Sequence, residues 1–117
     1  MSGGGPSILI VEDDAALRLV CRVNLELERF DVREAATLEA ARLAVSAQRP
    51  ALVFLDLHLG SGPSDELLDE LTEAGIPVVL VSGTVDVVGY EGRASAVMAK
   101  PFDPTELVAI ARRYAVG

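Results

Sequence analysis

Four short stretches of this chain carry residues that could do chemistry together: the run Glu12-Asp13-Asp14, then Asp56, then Ser82, then Lys100. Three consecutive carboxylates repel one another, and repel Asp56 too if the fold brings it near. A hard divalent cation relieves that repulsion, and Mg²⁺ suits a site with one or two carboxylates, several waters and a phosphate oxygen. An aspartate beside such a cation is a nucleophile candidate for phosphorus, because aspartyl phosphate is an accessible covalent intermediate. The transfer itself needs mainly positioning and charge neutralisation. Lysine supplies a flexible point charge suited to a phosphate oxygen. Lys100 is the single lysine in a chain that otherwise uses nine arginines.

Each residue also has a plainer reading. An acidic run at a helix start favours the helix dipole, and for Asp14 that role, as an N-cap, is preferred. An Asp after a strand is often a turn residue, a Ser before Gly is common in turns, and a lone surface Lys is usually just solvated. The single cysteine, Cys21, falls on an apolar helix face and reads as a small core side chain. What decides between the readings is whether the chain's elements carry the four stretches to one place.

They do so by simple alternation. Short β-prone runs occur at Ile8–Val11, Phe30–Arg33, Leu52–Leu55, Val78–Val81 and Ala96–Ala99. Most are apolar throughout, the pattern of parallel strands covered on both faces. Helical spacing lies between them: after Asp14, after a Thr37 cap with an incomplete capping box, from about Ser64 to Ala74 before Gly75, and from Asp103-Pro104 onward. The stretch from Ser82 to Ala96 is β-branched and glycine-containing and predicts a short or irregular fourth helix. Strand–helix alternation with right-handed crossovers gives an α/β fold, a doubly wound five-stranded parallel sheet. Ligand sites in such sheets lie outside the carboxyl ends of the strands. Glu12-Asp13-Asp14, Asp56, Ser82 and Lys100 each follow directly on a strand, so all face one rim. The Lys100–Pro101 bond is of the one type for which cis costs little, and a cis bond there would aim the lysine inward.

Totals narrow the function classes. The chain has 117 residues, enough for one domain, and is half apolar but only 4% aromatic. Its net charge of −8 disfavours direct binding to nucleic acid. Its apolar runs are too short for membrane insertion, and Met1–Pro6 is small and flexible with no signal-peptide pattern, so a cytoplasmic location is expected. The expected organisation is a flexible segment over 1–6 and one domain over 7–117.

The motifs Ile8-Leu-Ile-Val-Glu-Asp-Asp14 followed by Arg18, Leu52-Val-Phe-Leu-Asp56-Leu, Val78-Val-Leu-Val-Ser82-Gly and Lys100-Pro-Phe-Asp-Pro104 together resemble the receiver domain of response regulators, across essentially the whole chain. The resemblance implies a flavodoxin- or CheY-like sheet of strand order 2-1-3-4-5 and a phosphorylation-dependent switch of a two-component or phosphorelay system. It implies Asp56 as phosphoacceptor, with Glu12, Asp13, Asp56 and the backbone carbonyl of His58 holding Mg²⁺ or Mn²⁺. Ser82 corresponds to the hydroxyl that moves to the phosphoryl oxygen, and Lys100 to its ion-pair partner. Such a domain is not an enzyme on other substrates; it catalyses only its own phosphorylation and dephosphorylation. The donor would be a histidine kinase or histidine phosphotransfer protein, and the output an unknown downstream protein target. His58 and Thr84 hold positions that tune dephosphorylation, or are two solvated loop residues.

This chain also departs from the family pattern. The usual Met-Pro after the acceptor strand is missing and Leu59-Gly60-Ser61-Gly62-Pro63 stands there instead, the aromatic switch position is Val97, and the Ser82-to-Lys100 stretch is short by about one helical turn. It is most similar to a subgroup of single-domain regulators with a shortened fourth-helix region, and a stand-alone regulator is expected. Three competing readings stand beside this one: a scaffold that works unphosphorylated, an aspartate-nucleophile phosphatase, and a nucleotide or flavin module. The mutually repelling carboxylates, the absence of an Asp at position 12 and the lack of a glycine-rich loop after the first strand weigh against them in turn.

Overall fold

The computed structural model describes residues 4–60, 62–83, 90 and 92–115. Five strands, β1 (Ser7–Val11), β2 (Asp31–Ala35), β3 (Leu52–Asp56), β4 (Val78–Ser82) and β5 (Ala96–Ala99), form one parallel sheet in the order β2-β1-β3-β4-β5. Four helices lie among the described residues: α1 (Ala15–Leu27), α2 (Leu38–Ala47), α3 (Asp65–Glu73) and α4 (Pro104–Tyr114). The predicted order 2-1-3-4-5 is the observed one. Residues 84–89 and 91 of the segment for which an irregular fourth helix was expected lie outside the described residues.

The three central strands, β1, β3 and β4, are buried throughout because both of their faces are covered, while the edge strands β2 and β5 are only partly buried. Ile8, Ile10, Leu52, Phe54, Val79 and Val81 point one way, into a cluster with Cys21 and Leu25 of α1 and Leu107 and Ala111 of α4. Leu9, Val11, Val53, Leu55, Val78 and Leu80 point the other way, onto Ala41 of α2 and Leu67, Leu68 and Leu71 of α3. This period-two division is why the strand sequences read as unbroken apolar runs. Burial in the first cluster pushes the Cys21 thiol up to about 11, so it remains a neutral core group at neutral pH.

Local signals set the helix ends. The Asp14 carboxylate accepts from the N–H groups of Ala16 and Leu17, Thr37 Oγ1 accepts from Ala40, and Asp103 accepts from Thr105. α1 closes with the Phe30 N–H on the Leu25 carbonyl and the Arg29 N–H on that of Glu26, with Arg29 at φ 71° where glycine is usual. That closure consumes Phe30, which is why β2 begins at Asp31 and not one residue earlier. The N-terminal stretch expected to be flexible is tied at its described end. Gly5 N–H donates to Arg29 at 3.0 Å, and Pro6 accepts from Asp31 at 3.1 Å.

Candidate functional site

Parallel pairing puts the carboxyl ends of β1, β3, β4 and β5 side by side. Ile10 lies opposite Phe54, Asp56 opposite Val81, and Ser82 opposite Ala99. The residues that follow each strand therefore share a rim. Carboxylate oxygens of Glu12, Asp13 and Asp56 all lie within 4.8 Å of one another. Glu12 and Asp56 are buried, at 4% and 6% exposure, while Asp13 faces solvent. Lys100 Nζ sits 2.7 Å from Glu12 Oε1 and 3.5 Å from Asp56 Oδ2. The Lys100–Pro101 bond is cis.

The electrostatics follow from this crowding. Burial raises the Glu12 carboxyl above its ordinary range, and the Asp56 charge adds to that, against the Lys100 ammonium and the Asp14 N–H that favour the anion. Asp13 is held below its ordinary range, first by the Gly60 N–H that reaches its Oδ2 at 2.8 Å. For Lys100, burial alone would weaken the ammonium, but the Glu12 hydrogen bond and the Asp56 charge outweigh it, and the group is raised. Three carboxylates against one ammonium leave the pocket with an excess of negative charge. An all-oxygen, anionic donor set of this kind fits a hard divalent cation such as Mg²⁺ and does not fit a thiophilic metal.

The other predicted residues fall as follows. Ser82 is buried at the end of β4, and its carbonyl accepts from the Lys100 N–H at 2.8 Å. His58 is exposed, and its N–H donates to Asp56 Oδ1 at 3.3 Å. Val97 lies half-buried in β5, against the core under α2 and α3 together with Tyr90. Thr84 lies outside the described residues.

Three contributors had been given no role at the site from sequence. Ser64 heads α3, yet its hydroxyl does not cap the helix; fully buried, it donates to the Asp56 carbonyl at 2.6 Å. Arg18 donates to the Glu12 carbonyl at 2.7 Å while pairing with Glu34 at 3.3 Å, which pins the acidic loop to α1 and β2. Gly60 supplies the N–H on Asp13. Arg18 stood in a recognised motif, but nothing in a Gly/Ser-rich loop marks which amide or hydroxyl will face the pocket.

The model of the response regulator receiver domain family matches residues 8–112. The DNA-binding response regulator MtrA of Mycobacterium tuberculosis is 40% identical over 110 residues, covering 90% of this chain and 48% of that protein. The chain thus spans about half the length of the curated relatives it matches. The crystal structure of the receiver domain of NtrX from Brucella abortus is similar with a TM-score of 0.85 at 31% identity, over 92% of this chain and 97% of that one. A CheY-like response regulator receiver domain protein from Methanospirillum hungatei gives a TM-score of 0.87 at 26% identity, over 94% and 93%. Among the described residues, no helix is long and apolar enough to cross a membrane.

Proposed function

The chain belongs to the response regulator receiver domain family, and from that premise we propose that Asp56 is its phosphoacceptor, with Ser82 and Lys100 answering the phosphorylated state. Receiver domains of two-component response regulators take a phosphoryl group on an aspartate, and this domain is such a regulatory phosphoacceptor. Glu12, Asp13, Asp56 and the His58 carbonyl are the groups we assign to Mg²⁺, with Mn²⁺ as a substitute. The receiver unit spans 7–117 in this reading and lies in the cytoplasm. A histidine kinase or histidine phosphotransfer protein is the donor, and the output is a protein target.

One observation carries the assignment: three carboxylates from two strand ends meet within 4.8 Å, and Lys100 is inserted between the two buried ones. In the proposed step an Asp56 carboxylate oxygen forms a bond to phosphorus as the bond to the donor's leaving group breaks. With acetyl phosphate, acetate departs. The bound cation would supply neutralisation of the charge gathering on the phosphoryl oxygens. Lys100 provides an ammonium that Glu12 already holds in place, 3.5 Å from the accepting carboxylate. The buried Ser64 hydroxyl fixes the Asp56 peptide, so that the nucleophile sits on a rigid strand end. Loss of the phosphoryl group follows by attack of water, and the domain catalyses nothing else.

Intact mass after incubation with acetyl phosphate tests the reading. A single phosphoryl adduct, labile to base and dependent on Mg²⁺, is the expected result; no adduct with any donor returns the chain to an unphosphorylated scaffold. We also assign His58, exposed two residues after Asp56, and Thr84 to tuning the lifetime of the adduct. His58→Ala is expected to change the decay rate severalfold and leave the rate of acceptance largely intact. An unchanged decay rate removes His58 from the mechanism.

A further inference from the structure

We infer that the Gly60 main-chain N–H is a positioning group for the metal site: it holds the Asp13 carboxylate in place before a cation arrives and tilts the site toward small cations. The inference rests on the metal-binding reading of Glu12, Asp13 and Asp56. Its starting point is the loop after β3, Leu59-Gly60-Ser61-Gly62-Pro63, which returns toward the acidic run after β1. Here the Gly60 amide donates to Asp13 Oδ2 at 2.8 Å, between residues 47 apart in the chain.

The amide is presented on a braced arm. His58–Leu59 pairs antiparallel with Gly62–Pro63, which places Gly60 at the turn of a small hairpin. The base of that hairpin is fixed twice by Ser64, whose N–H donates to Leu57 at 3.2 Å and whose hydroxyl donates to Asp56 at 2.6 Å. The arm therefore links the two loops that supply the carboxylates: one end grips the Asp56 peptide and the other grips Asp13. The fit at the tip is close, since a Cβ on Gly60 would stand 3.0 Å from Asp13 Oδ2. A side chain there would oblige the Asp13 carboxylate to shift by a few tenths of an ångström, and no unusual backbone angle is involved.

Two consequences follow from an outer-sphere donor on a ligating carboxylate. It orients the ligand at no cost at the moment of binding, and loss of such partners typically weakens metal affinity by about 10-fold or more. It also restrains Asp13 from turning both oxygens inward. Mg²⁺ demands a tight octahedral set, whereas Ca²⁺ tolerates more oxygens at longer and more variable distances. A fixed Asp13 favours the smaller ion; a freed one helps the larger.

The test is calorimetric titration of the full chain with Mg²⁺ alone and with Ca²⁺ alone, comparing wild type with a semisynthetic form in which glycolic acid replaces Gly60. That ester deletes one N–H and keeps the shape. Gly60→Pro is the simpler second variant, read against Gly60→Ala, which adds the same Cβ but keeps the N–H, and the amide exchange rate of Gly60 in metal-free wild type is the independent readout. The inference expects slow Gly60 exchange without metal, a Mg²⁺ Kd weakened about 10-fold in the ester, and a smaller ratio of Ca²⁺ to Mg²⁺ Kd. A merely structural role would lower the melting temperature without moving that ratio. Equal Kd values and equal ratios in wild type and ester overturn the inference and leave the metal site standing. Absence of Mg²⁺ binding in wild type overturns both.

Discussion

Asp56→Asn will abolish the phosphoryl adduct entirely, and in EDTA the variant will be more stable than wild type. The first half is chemical: an amide oxygen is a poor nucleophile toward phosphorus, and the neighbouring side chains offer no replacement in the same position. The second half is electrostatic. Asp56 is 6% exposed and lies among the carboxylates of Glu12 and Asp13, while the shorter contact of Lys100, at 2.7 Å, belongs to Glu12. Asparagine removes one buried negative charge and leaves the Glu12–Lys100 pair intact. Its carbonyl oxygen can still accept the His58 N–H that Asp56 now accepts at 3.3 Å. The gain is expected to be about 1 kcal/mol, the scale on which relieving like charge in a partly solvated pocket outweighs a longer ion pair. Thermal melts in EDTA measure it. Adding Mg²⁺ should narrow or reverse the difference, because a ligand that binds the folded wild type stabilises it by mass action. A phosphorylated Asp56→Asn protein would move the acceptor elsewhere, and a variant less stable than wild type in EDTA would mean that Asp56 is held mainly by attraction.

Functional sites are commonly placed where stability is sacrificed, and this pocket lets that trade be located. The fold was legible because strand burial on both faces leaves an unambiguous apolar pattern, and because a doubly wound sheet puts every strand's carboxyl end on the same rim. Once Leu52–Leu55 and Ile8–Val11 were strands, Asp56 and Glu12 had to share that rim; the adjacency of the two strands was implied by the family resemblance and is what the pairing shows. Boundaries were less legible. Phe30 belongs by composition to β2, but its N–H is taken by the Leu25 carbonyl in closing α1. The supporting contacts were the least legible. Ser64 signals a helix start but spends its hydroxyl on anchoring the Asp56 peptide, and Gly60 looks like a turn residue, which it is, but also grips Asp13. Both depend on the path of a loop, which has no period to read. Val97 shows the same limit from the other side. Its sequence position announces a missing aromatic, but only the structure brings Tyr90 from the preceding segment onto the same core face, with its hydroxyl on the Asp65 carboxylate at 2.9 Å.

Lys100→Met should cost about 2 kcal/mol in metal-free protein and should uncouple phosphorylation from its structural response. Lys100 is the one cation against the buried Glu12 and Asp56 carboxylates among the described residues, and methionine keeps the apolar stem while deleting the charge. Breaking a fully buried pair by removing one partner costs about 3–5 kcal/mol; here the lysine side chain is 25% exposed, so solvent screens part of the loss. Chemical denaturation in EDTA gives the number. A double-mutant cycle with Glu12→Gln apportions it: removing the carboxylate as well should recover most of the stability, because the penalty belongs to the unpaired anion and not to lost packing. Mg²⁺ should recover part of it by the same logic. Lys100→Arg keeps the charge but trades a compact ammonium for a planar fork, and should be near wild type in stability while still impaired in the response. That response is followed by amide shifts after Ser82 on adding acetyl phosphate. Lys100 N–H donates to the Ser82 carbonyl at 2.8 Å, so the main chains of β4 and β5 are already joined where the two side chains must act. If Lys100→Met is as stable as wild type in EDTA, or shows the full set of phosphorylation-dependent shifts, then the ammonium is a spectator and the pocket's charge is balanced some other way.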